Sequence, residues 1–389
     1  MSLMSKIIIG IILSLLVVFI YLFKFDSHYN EKEIRFGMSA PFSGTLHSIG
    51  EELFRGANSY IRYINENGGV NGRVFRIIKK DDKYEPKITA ENTLELIKKY
   101  KVFALLGFVG TPTSKVALPI AIKYNIPYIG AFSGADFLRK VPRNPLVLNG
   151  RTSYKKEIEK LIEYFVDKKQ FSKIAVFYQN DSYGRSGLKG VKEALKRRGI
   201  KLCAEGSYKR NTLSVGHALY EIAHKRPEVV IMIGATKPTA EFIKRARKNK
   251  NTEDLHYGVI SFVGSSIFLK ELNFEAKNII ISQVMPSPWG SLSKEVVLYR
   301  EIMDKYYLSK DYSYVSLEGY FIAKMTIELF KRLGKKFTKE DFLKEMEKMY
   351  LEMESSKDSK ESKICKCLNN VYLTYYEDGI FWEIDEEDN

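Results

Sequence analysis

The chain has 389 residues, 45% hydrophobic and 28% charged, which excludes wholesale disorder, collagen and a polytopic membrane protein and suggests two domains with an appendage. The formal charge of +15 invites a nucleic-acid reading. Residues 139–250, however, hold 27 Lys/Arg against 10 Asp/Glu, a surplus of 17 that exceeds the whole chain's, while residues 377–388 hold seven acids and no base, so the charge is regional.

Residues 7–23 (IIIGIILSLLVVFIYLF) form 17 consecutive uncharged residues between Lys6 and Lys24. At about 1.5 Å per residue this is the short end of what spans a bilayer, and it is longer than a usual signal-peptide core. No small-x-small cleavage pattern follows, and the first cysteine is Cys203, which argues against a lipoprotein signal. The segment reads as an uncleaved signal anchor, with a cleaved signal as the alternative. A single-pass protein of the cell membrane is expected, its globular part in the periplasm or outside the cell.

After a polar tether the pattern alternates. Residues 34–38 read as a strand, and 51–67 as a helix with Leu53, Ala57, Tyr60, Ile61 and Ile64 on one face. A Gly-rich turn and a strand at 74–78 follow, then a helix opened by Pro86, an apolar strand at 102–106, a helix through Ala117 and Ile120, and a strand at 126–129. This βαβα rhythm implies a mostly parallel sheet covered on both faces.

The rhythm then repeats. Helix 153–169 buries Ile158, Leu161, Ile162 and Phe165; strand 174–178, helix 188–198, strand 201–205, a helix around Ala218 and Ile222, strand 229–233, a helix opened by Pro238 and strand 257–260 come after it. Residues 279–336 supply a strand and two long helices, residues 352–363 read as a polar loop, and residues 371–384 as a hairpin turning at Glu377, Asp378 and Gly379. Cys203 reads as a buried small hydrophobe in a strand. Cys365 and Cys367 flank one lysine and admit three readings: surface thiols, a strained disulfide or part of a metal site. Nothing nearby completes a metal site, and neither metal nor cofactor is expected.

In open parallel sheets ligands bind beyond the carboxyl ends of the strands. The loops there are 41–44, 107–114 and 131–136 in the first unit, and 179–187, 235–238 and 261–264 in the second. They are rich in Gly, Ser, Thr and Asn at helix starts, a setting that suits an anion, though each residue alone is as well explained as a helix cap. No G-x-S-x-G, phosphate-loop, G-x-G-x-x-G or H-E-x-x-H motif occurs, and of the five histidines only His47 falls in a cleft loop. The basic run 244–248 lies on the polar face of an amphipathic helix without interleaved aromatics, so no nucleic-acid partner is expected.

The segments FGMSAPFSGTLHSIGEELFRGANSYIRYINENGGVNGR, ALLGFVGTPTS, FYQNDSYGRSGLKGVKEALKRRG and TAEFIKRARK resemble, in the same order, the periplasmic solute-binding proteins of the branched-chain amino-acid (leucine/isoleucine/valine-binding) type. The resemblance covers residues 34–330. It implies a type I periplasmic-binding-protein fold: two Rossmann-like α/β lobes with mostly parallel sheets, joined by three hinge crossings and closing on a small ligand. The crossings are expected near 149–152, near 283–286 and close to the C-terminal hairpin. The implied organisation is an anchor and tether at 1–32, a first lobe at 33–150, a second at 151–283, a return to the first at 284–340, and a C-terminal segment at 341–389 returning to the second.

Carried over by position, Gly110 and Thr111 would bind the ligand's carboxylate and Phe132, Ser133 and Gly134 would add backbone donors. Ile49 would line the cleft, Tyr183 would cover the ligand on closure, and Thr236 and Phe262 would complete the second lobe's wall. Two departures stand out. The family's amino-acid binders carry an acid at the loop that here reads Ser261, Phe262 and Val263, and an aromatic near Ala235 and Thr236; both are missing. A buried ammonium without a carboxylate is costly, so a standard amino acid requires Asp136 or Asp181 to substitute. The implied function is non-enzymatic: trapping a small polar, carboxylate- or amide-bearing molecule for an ABC permease or a membrane sensor protein. The rivals are an α/β enzyme using Tyr183 or His47 in the same cleft, and a nucleic-acid-binding module resting on the basic segment.

Overall fold

The computed structural model describes residues 31–140, 142–290, 293–307, 311–355 and 370–384. Its first sheet is entirely parallel, with β1 (Glu33–Ala40), β2 (Val74–Asp81), β3 (Ala104–Leu106), β4 (Tyr128–Ile129) and β5 (Val147–Leu148) in the order β2-β1-β3-β4-β5. Helices α1 (His47–Glu66), α2 (Pro86–Lys98) and α3 (Thr111–Lys123) connect these strands.

The second sheet runs β12-β11-β10-β9-β8-β6-β7. It uses β6 (Ile174–Gln179), β7 (Ala204–Tyr208), β8 (Val229–Ile233), β9 (His256–Val259) and β10 (Ile279–Gln283) in parallel, while the hairpin β11 (Tyr372–Glu377) and β12 (Ile380–Glu383) adds two antiparallel strands beside β10. Helices α4 (Tyr154–Ile162), continued by a wider π-turn over Glu163–Lys168, and α5 (Ser182–Arg197) pack together. Helices α6 (Gly216–His224), α7 (Thr236–Arg247) and α8 (Ser265–Glu271) form a second set. Sheets buried on both faces need apolar residues at every position, and β8 (VVIMI) has them.

After β10 the chain returns to the first sheet through α9 (Lys294–Tyr306), α10 (Tyr314–Arg332) and α11 (Lys339–Ser355). Helix α10 lies directly on α1. A side chain at Gly56 would collide with the carbonyl of Ser316, and one at Gly319 with that of Leu53, so the two glycines permit a backbone-to-backbone approach. Phe342 of α11 sits edge-on to Phe103 at 4.8 Å and packs with Phe330 at 5.0 Å. Helix α11 thus packs on the first lobe's ring cluster, and the hairpin β11–β12 lies in the second sheet.

Several sequence expectations need correction. Helix α11 was not anticipated, and the polar stretch expected as a loop begins inside it. Strand β7 starts at Ala204, so Cys203 precedes it, half-buried. Helix α5 begins at Ser182, six residues before Leu188, because Asp181 caps it by accepting the Tyr183 N–H at 2.9 Å. Gly184 in that first turn has room for no side chain, since one would strike the Gln179 carbonyl. The expected anchor at residues 7–23 and the pair Cys365 and Cys367 lie outside the described residues; among those described, no helix is long and apolar enough to cross a membrane.

Candidate functional site

The carboxyl ends of both sheets face each other across a cleft, and the lobes are closed on one another. On the first lobe, Gly110 (φ 100°) precedes α3 in a conformation that favours glycine, and a side chain there would strike the ring of Tyr84. Thr111, the first residue of α3, places Oγ1 2.8 Å from Ser133 Oγ and 3.4 Å from Tyr154 Oη. Phe132 joins this group through a single parallel bridge to Val109. The N–H groups of Phe132 and Ser133 are already bonded to Phe108 O and Ala131 O, each at 2.8 Å, so these residues offer a ring and a hydroxyl in place of backbone donors. Gly134 accepts from the Tyr154 N–H at 2.9 Å and so seats that tyrosine.

On the second lobe, Tyr183 is fully buried and donates its hydroxyl to Gly234 O at 3.3 Å. Its ring centroid is 4.4 Å from Phe262 and 5.3 Å from Tyr154. Phe262 in turn reaches the first lobe, 5.6 Å from Phe132 and 6.2 Å from Tyr84. The side chain of Ile49 abuts Gly264 beside this loop. Thr236 is buried and donates to Val263 O at 2.6 Å, so it holds the loop that carries Phe262. The structure therefore gathers Ile49, Gly110, Thr111, Phe132, Ser133, Tyr183 and Phe262 around one interlobe centre, with Gly134 and Thr236 behind them. His47 is exposed and bonds Gly44 O at 2.9 Å on its own turn.

Sequence reasoning missed several groups. Tyr84 follows Lys83 in a left-handed pair (φ 61° and 53°) after β2, and the turn is held because Asp82 accepts the Tyr84 N–H at 2.9 Å. Gln179 Nε2 meets Tyr84 Oη at 3.3 Å across the lobes, and Gln179 Oε1 accepts from Tyr208 Oη at 3.0 Å. Burial raises the Tyr84 and Tyr183 hydroxyls well above the ordinary phenol range, so both remain neutral donors. The acid-rich D-D-K-Y-E-P run was a usable turn signal for Tyr84; nothing local marked Tyr154 or Tyr208.

Neither candidate substitute acid faces the centre. Asp136 is exposed, and Asp181 is engaged by Tyr183 N, by Gln179 Nε2 at 2.7 Å and by Arg210 at 3.3 Å. Charge enters instead at the first crossing. Arg151 lies 4.1 Å over the Phe132 ring, is paired with Glu318 of α10 and donates to Ser261 Oγ. Glu157 of α4 accepts from Ser261 N at 2.8 Å and Ser282 Oγ at 2.7 Å. Burial works against the Arg151 charge, but Glu318 and Glu157 outweigh it and hold the guanidinium ionised; burial raises the Glu318 carboxyl against the pull of Arg151. The neighbouring crossing residue Thr152 donates to Asn370 O at 3.1 Å, bringing the chain's last passage alongside the first.

At the opposite side the lips meet. Arg210 binds Glu85 at 2.9 Å, Asn211 reaches Glu85 at 2.6 Å and Lys83 O at 3.2 Å, and Thr45 donates to Asn211 at 3.1 Å. Among the described residues no group of three or more His, Cys, Asp or Glu is placed to hold a metal ion.

Comparison with known proteins agrees with this geometry. The family model of the periplasmic binding proteins matches residues 33–357. An amino acid binding protein of Pseudomonas aeruginosa is 23% identical over 218 residues, 56% of this chain and 58% of that one. The Leu/Ile/Val-binding protein homolog 7 of Brucella abortus is 24% identical over 225 residues, 56% of each chain. The match thus spans little more than half the length of these curated relatives. A solved structure, a possible leucine/isoleucine/valine-binding protein from Rhodopirellula baltica, superposes with a TM-score of 0.83 at 28% identity, covering 92% of this chain and 98% of that one. These similarities group the chain with binding proteins and not with enzymes.

Proposed function

Because the chain belongs to the periplasmic binding protein family, we propose that it is an extracytoplasmic solute-binding protein that traps a small polar, carboxylate- or amide-bearing ligand between its lobes. One observation carries the reading: Thr111, Ser133 and Phe132 of one lobe face Tyr183 and Phe262 of the other, and all five are buried. Thr111 and Ser133 supply hydroxyls at the N-terminal end of α3, where the helix dipole favours negative charge. Tyr183 and Phe262 supply the cover, and opening at the crossings exposes both surfaces. In this reading residues 7–23 tether the body to the membrane, and the loaded protein delivers to an ABC permease or reports to a membrane sensor. The basic surface of residues 139–250 would steer that encounter.

Thermal-shift screening of the full chain in detergent against amino acids, carboxylates and amides tests the reading, since a ligand at about 100 times its Kd stabilises by about 2.7 kcal/mol. Tyr183→Ala and Thr111→Ala should each weaken the hit at least about tenfold, as expected for losing a buried contact of 1.4 kcal/mol or more. If no small solute shifts the melting temperature, the reading fails. Mass spectrometry of the membrane-extracted protein separates a retained anchor from a cleaved signal.

A further inference from the structure

The amino-terminal ends of the first sheet, opposite the cleft, gather lysines that trapping a solute does not use. Helix α2 ends at Lys98 and leads through Lys99, Tyr100 and Lys101 toward β3; α3 ends at Lys123 and leads through Tyr124 and Asn125 toward β4. The two helix ends touch. The Lys98 ammonium lies 5.5 Å and that of Lys123 5.9 Å from the centre of the Tyr124 ring, while Lys99 lies 5.3 Å from that of Tyr100. Ile122 is exposed beside them. Along the same edge the end of α10 meets the start of β2: Asn71 donates to Leu333 O at 2.6 Å and Arg73 to Lys335 O, which places Lys335 and Lys336 there.

Lys98, Lys101, Lys123, Lys335 and Lys336 are all exposed, and none of them stands in an ion pair among the described residues. The acids nearby are already engaged: Glu95 by Lys80 at 2.7 Å and Lys99 at 3.0 Å, Glu31 and Glu33 by Arg35, and Glu66 by Lys305 at 2.7 Å. The second lobe, richer in basic residues, pairs many of them internally, as in Lys155 with Glu193, Lys192 with Glu205 and Arg198 with Glu159.

A single exposed lysine is ordinary; these are distinguished by where the chain enters the fold. The strand order is β2-β1-β3-β4, and Lys32 O accepts the Val74 N–H at 2.9 Å. The start of β1 therefore lies between Lys335 and Lys336 on one side and Lys101 and Lys123 on the other. Strands stand about 4.8 Å apart, so β4 is only about 10 Å from β1. Residues 24–30 alone separate the apolar run from Glu31, and a stretch of that length spans at most about 25 Å.

Resting on the reading that residues 7–23 tether the protein, we propose that this edge docks on the membrane surface, its lysines binding anionic lipid headgroups. Lysine meets a lipid phosphate as a point charge, and half-buried Tyr100 and Tyr124 suit the boundary between water and acyl chains. The first lobe then stands on the bilayer with its cleft end directed away from it.

Acylation of lysines by a membrane-impermeant reagent, read residue by residue by mass spectrometry, tests this on the full chain in phosphatidylcholine nanodiscs with and without phosphatidylglycerol. Anionic lipid should slow acylation of Lys98, Lys101, Lys123, Lys335 and Lys336 at least about tenfold, since each lysine near such a surface contributes about fivefold. Lys196, Lys201 and Lys225, exposed on the second lobe, should not change. Salt at about 1 M, which shortens the screening length to about 3 Å, should remove the protection. Combining Lys98→Gln, Lys101→Gln and Lys123→Gln should restore acylation of Lys335 and Lys336 in anionic discs, with the melting temperature near the parent's because the changes are superficial.

Equal acylation in both kinds of disc would overturn the proposal and leave the tether standing. Protection spread evenly over both lobes would overturn it as well, since the body would then be attracted without a docked face. Protection that follows the number of chains per disc and ignores lipid charge would assign the edge to a second copy instead. A chain that enters neither kind of disc would end the tether reading and the proposal together.

Discussion

Two arginines join the lobes, at opposite sides of the cleft. Arg151 at the floor pairs with Glu318, their side chains 1% and 3% exposed, while Arg210 at the lip pairs with Glu85 at 23% and 41%. The floor pair has been taken out of water and is held by Ser261 and the Phe132 ring; the lip pair remains half in solvent. Breaking a buried pair leaves an uncompensated charge, whereas an exposed pair contributes little because water replaces either partner. A trap that must reopen needs this asymmetry: its hinge side stays tied and its mouth parts readily.

The floor should give the largest effect. Arg151→Met leaves Glu318 and Glu157 buried without their cation, and the loss should be about 3–5 kcal/mol in urea unfolding. Replacing both partners, as in Arg151→Met with Glu318→Leu, should recover much of that loss, since matched apolar substitution of a buried pair is often near neutral. A single variant as stable as the parent would show that the pair is not what ties the floor.

How much of this was legible beforehand differs between the same two regions. The alternation of apolar strands and amphipathic helices marked nearly every element through Val259, because each strand is a short continuous apolar run and each helix shows one buried stripe. The cap at Asp181 was concealed by the glycines of S-Y-G-R-S-G, which read as a loop although they serve close packing. Helix α11 was missed because its apolar positions, Phe342, Met346, Met349 and Met353, stand among lysines and glutamates; the helix becomes evident only when Phe342 enters the ring cluster around Phe103.

At the cleft, the Gly/Thr/Ser loops and Tyr183 were readable from position, and the resemblance supplied their grouping. The floor was not. Arg151, Glu157 and Glu318 come from a crossing and two helices, with 167 residues separating the first from the last. Charged residues in a basic chain carry no mark of burial. Only the fold shows that these have no water around them.

The lip's first-lobe side hangs on a third buried acid, which gives a smaller effect. Asp82 accepts from Tyr84 N at 2.9 Å, Ser39 Oγ at 2.9 Å and Thr89 Oγ1 at 3.0 Å. Burial pushes its pKa up to about 6 against those hydrogen bonds. Unfolded, it titrates near 3.8, so the folded state binds the proton more tightly. The associated stability is fully present below the unfolded value and is lost as pH rises through about 6. Between pH 7 and pH 5 the protein should gain about 1 kcal/mol from this group, and Asp82→Asn should abolish that gain. The carboxylates at Asp81 and Glu159 have lowered pKa values and titrate at lower pH, whereas burial raises Glu52 and Glu318 and lowers the His256 imidazole, so the gain is assigned to Asp82 by its difference from Asp82→Asn. A stability profile equally sloped in the parent and in Asp82→Asn would remove Asp82 as the titrating support of the Tyr84 turn.

The smallest effect belongs to the lip pair itself. Arg210→Ala deletes a half-exposed contact with Glu85 and a longer one to Asp181, for which about 0.5–1 kcal/mol is expected. Because the contact joins the lobes only when they are closed, that energy should be read in ligand release, as a rise in off-rate of about two- to fivefold in stopped-flow measurements. The urea midpoint should remain unchanged, since each lobe keeps its own core. If Arg210→Ala instead lowered the midpoint as far as Arg151→Met does, the lip would be carrying fold stability, and a division of labour between a tied floor and a yielding mouth would not hold.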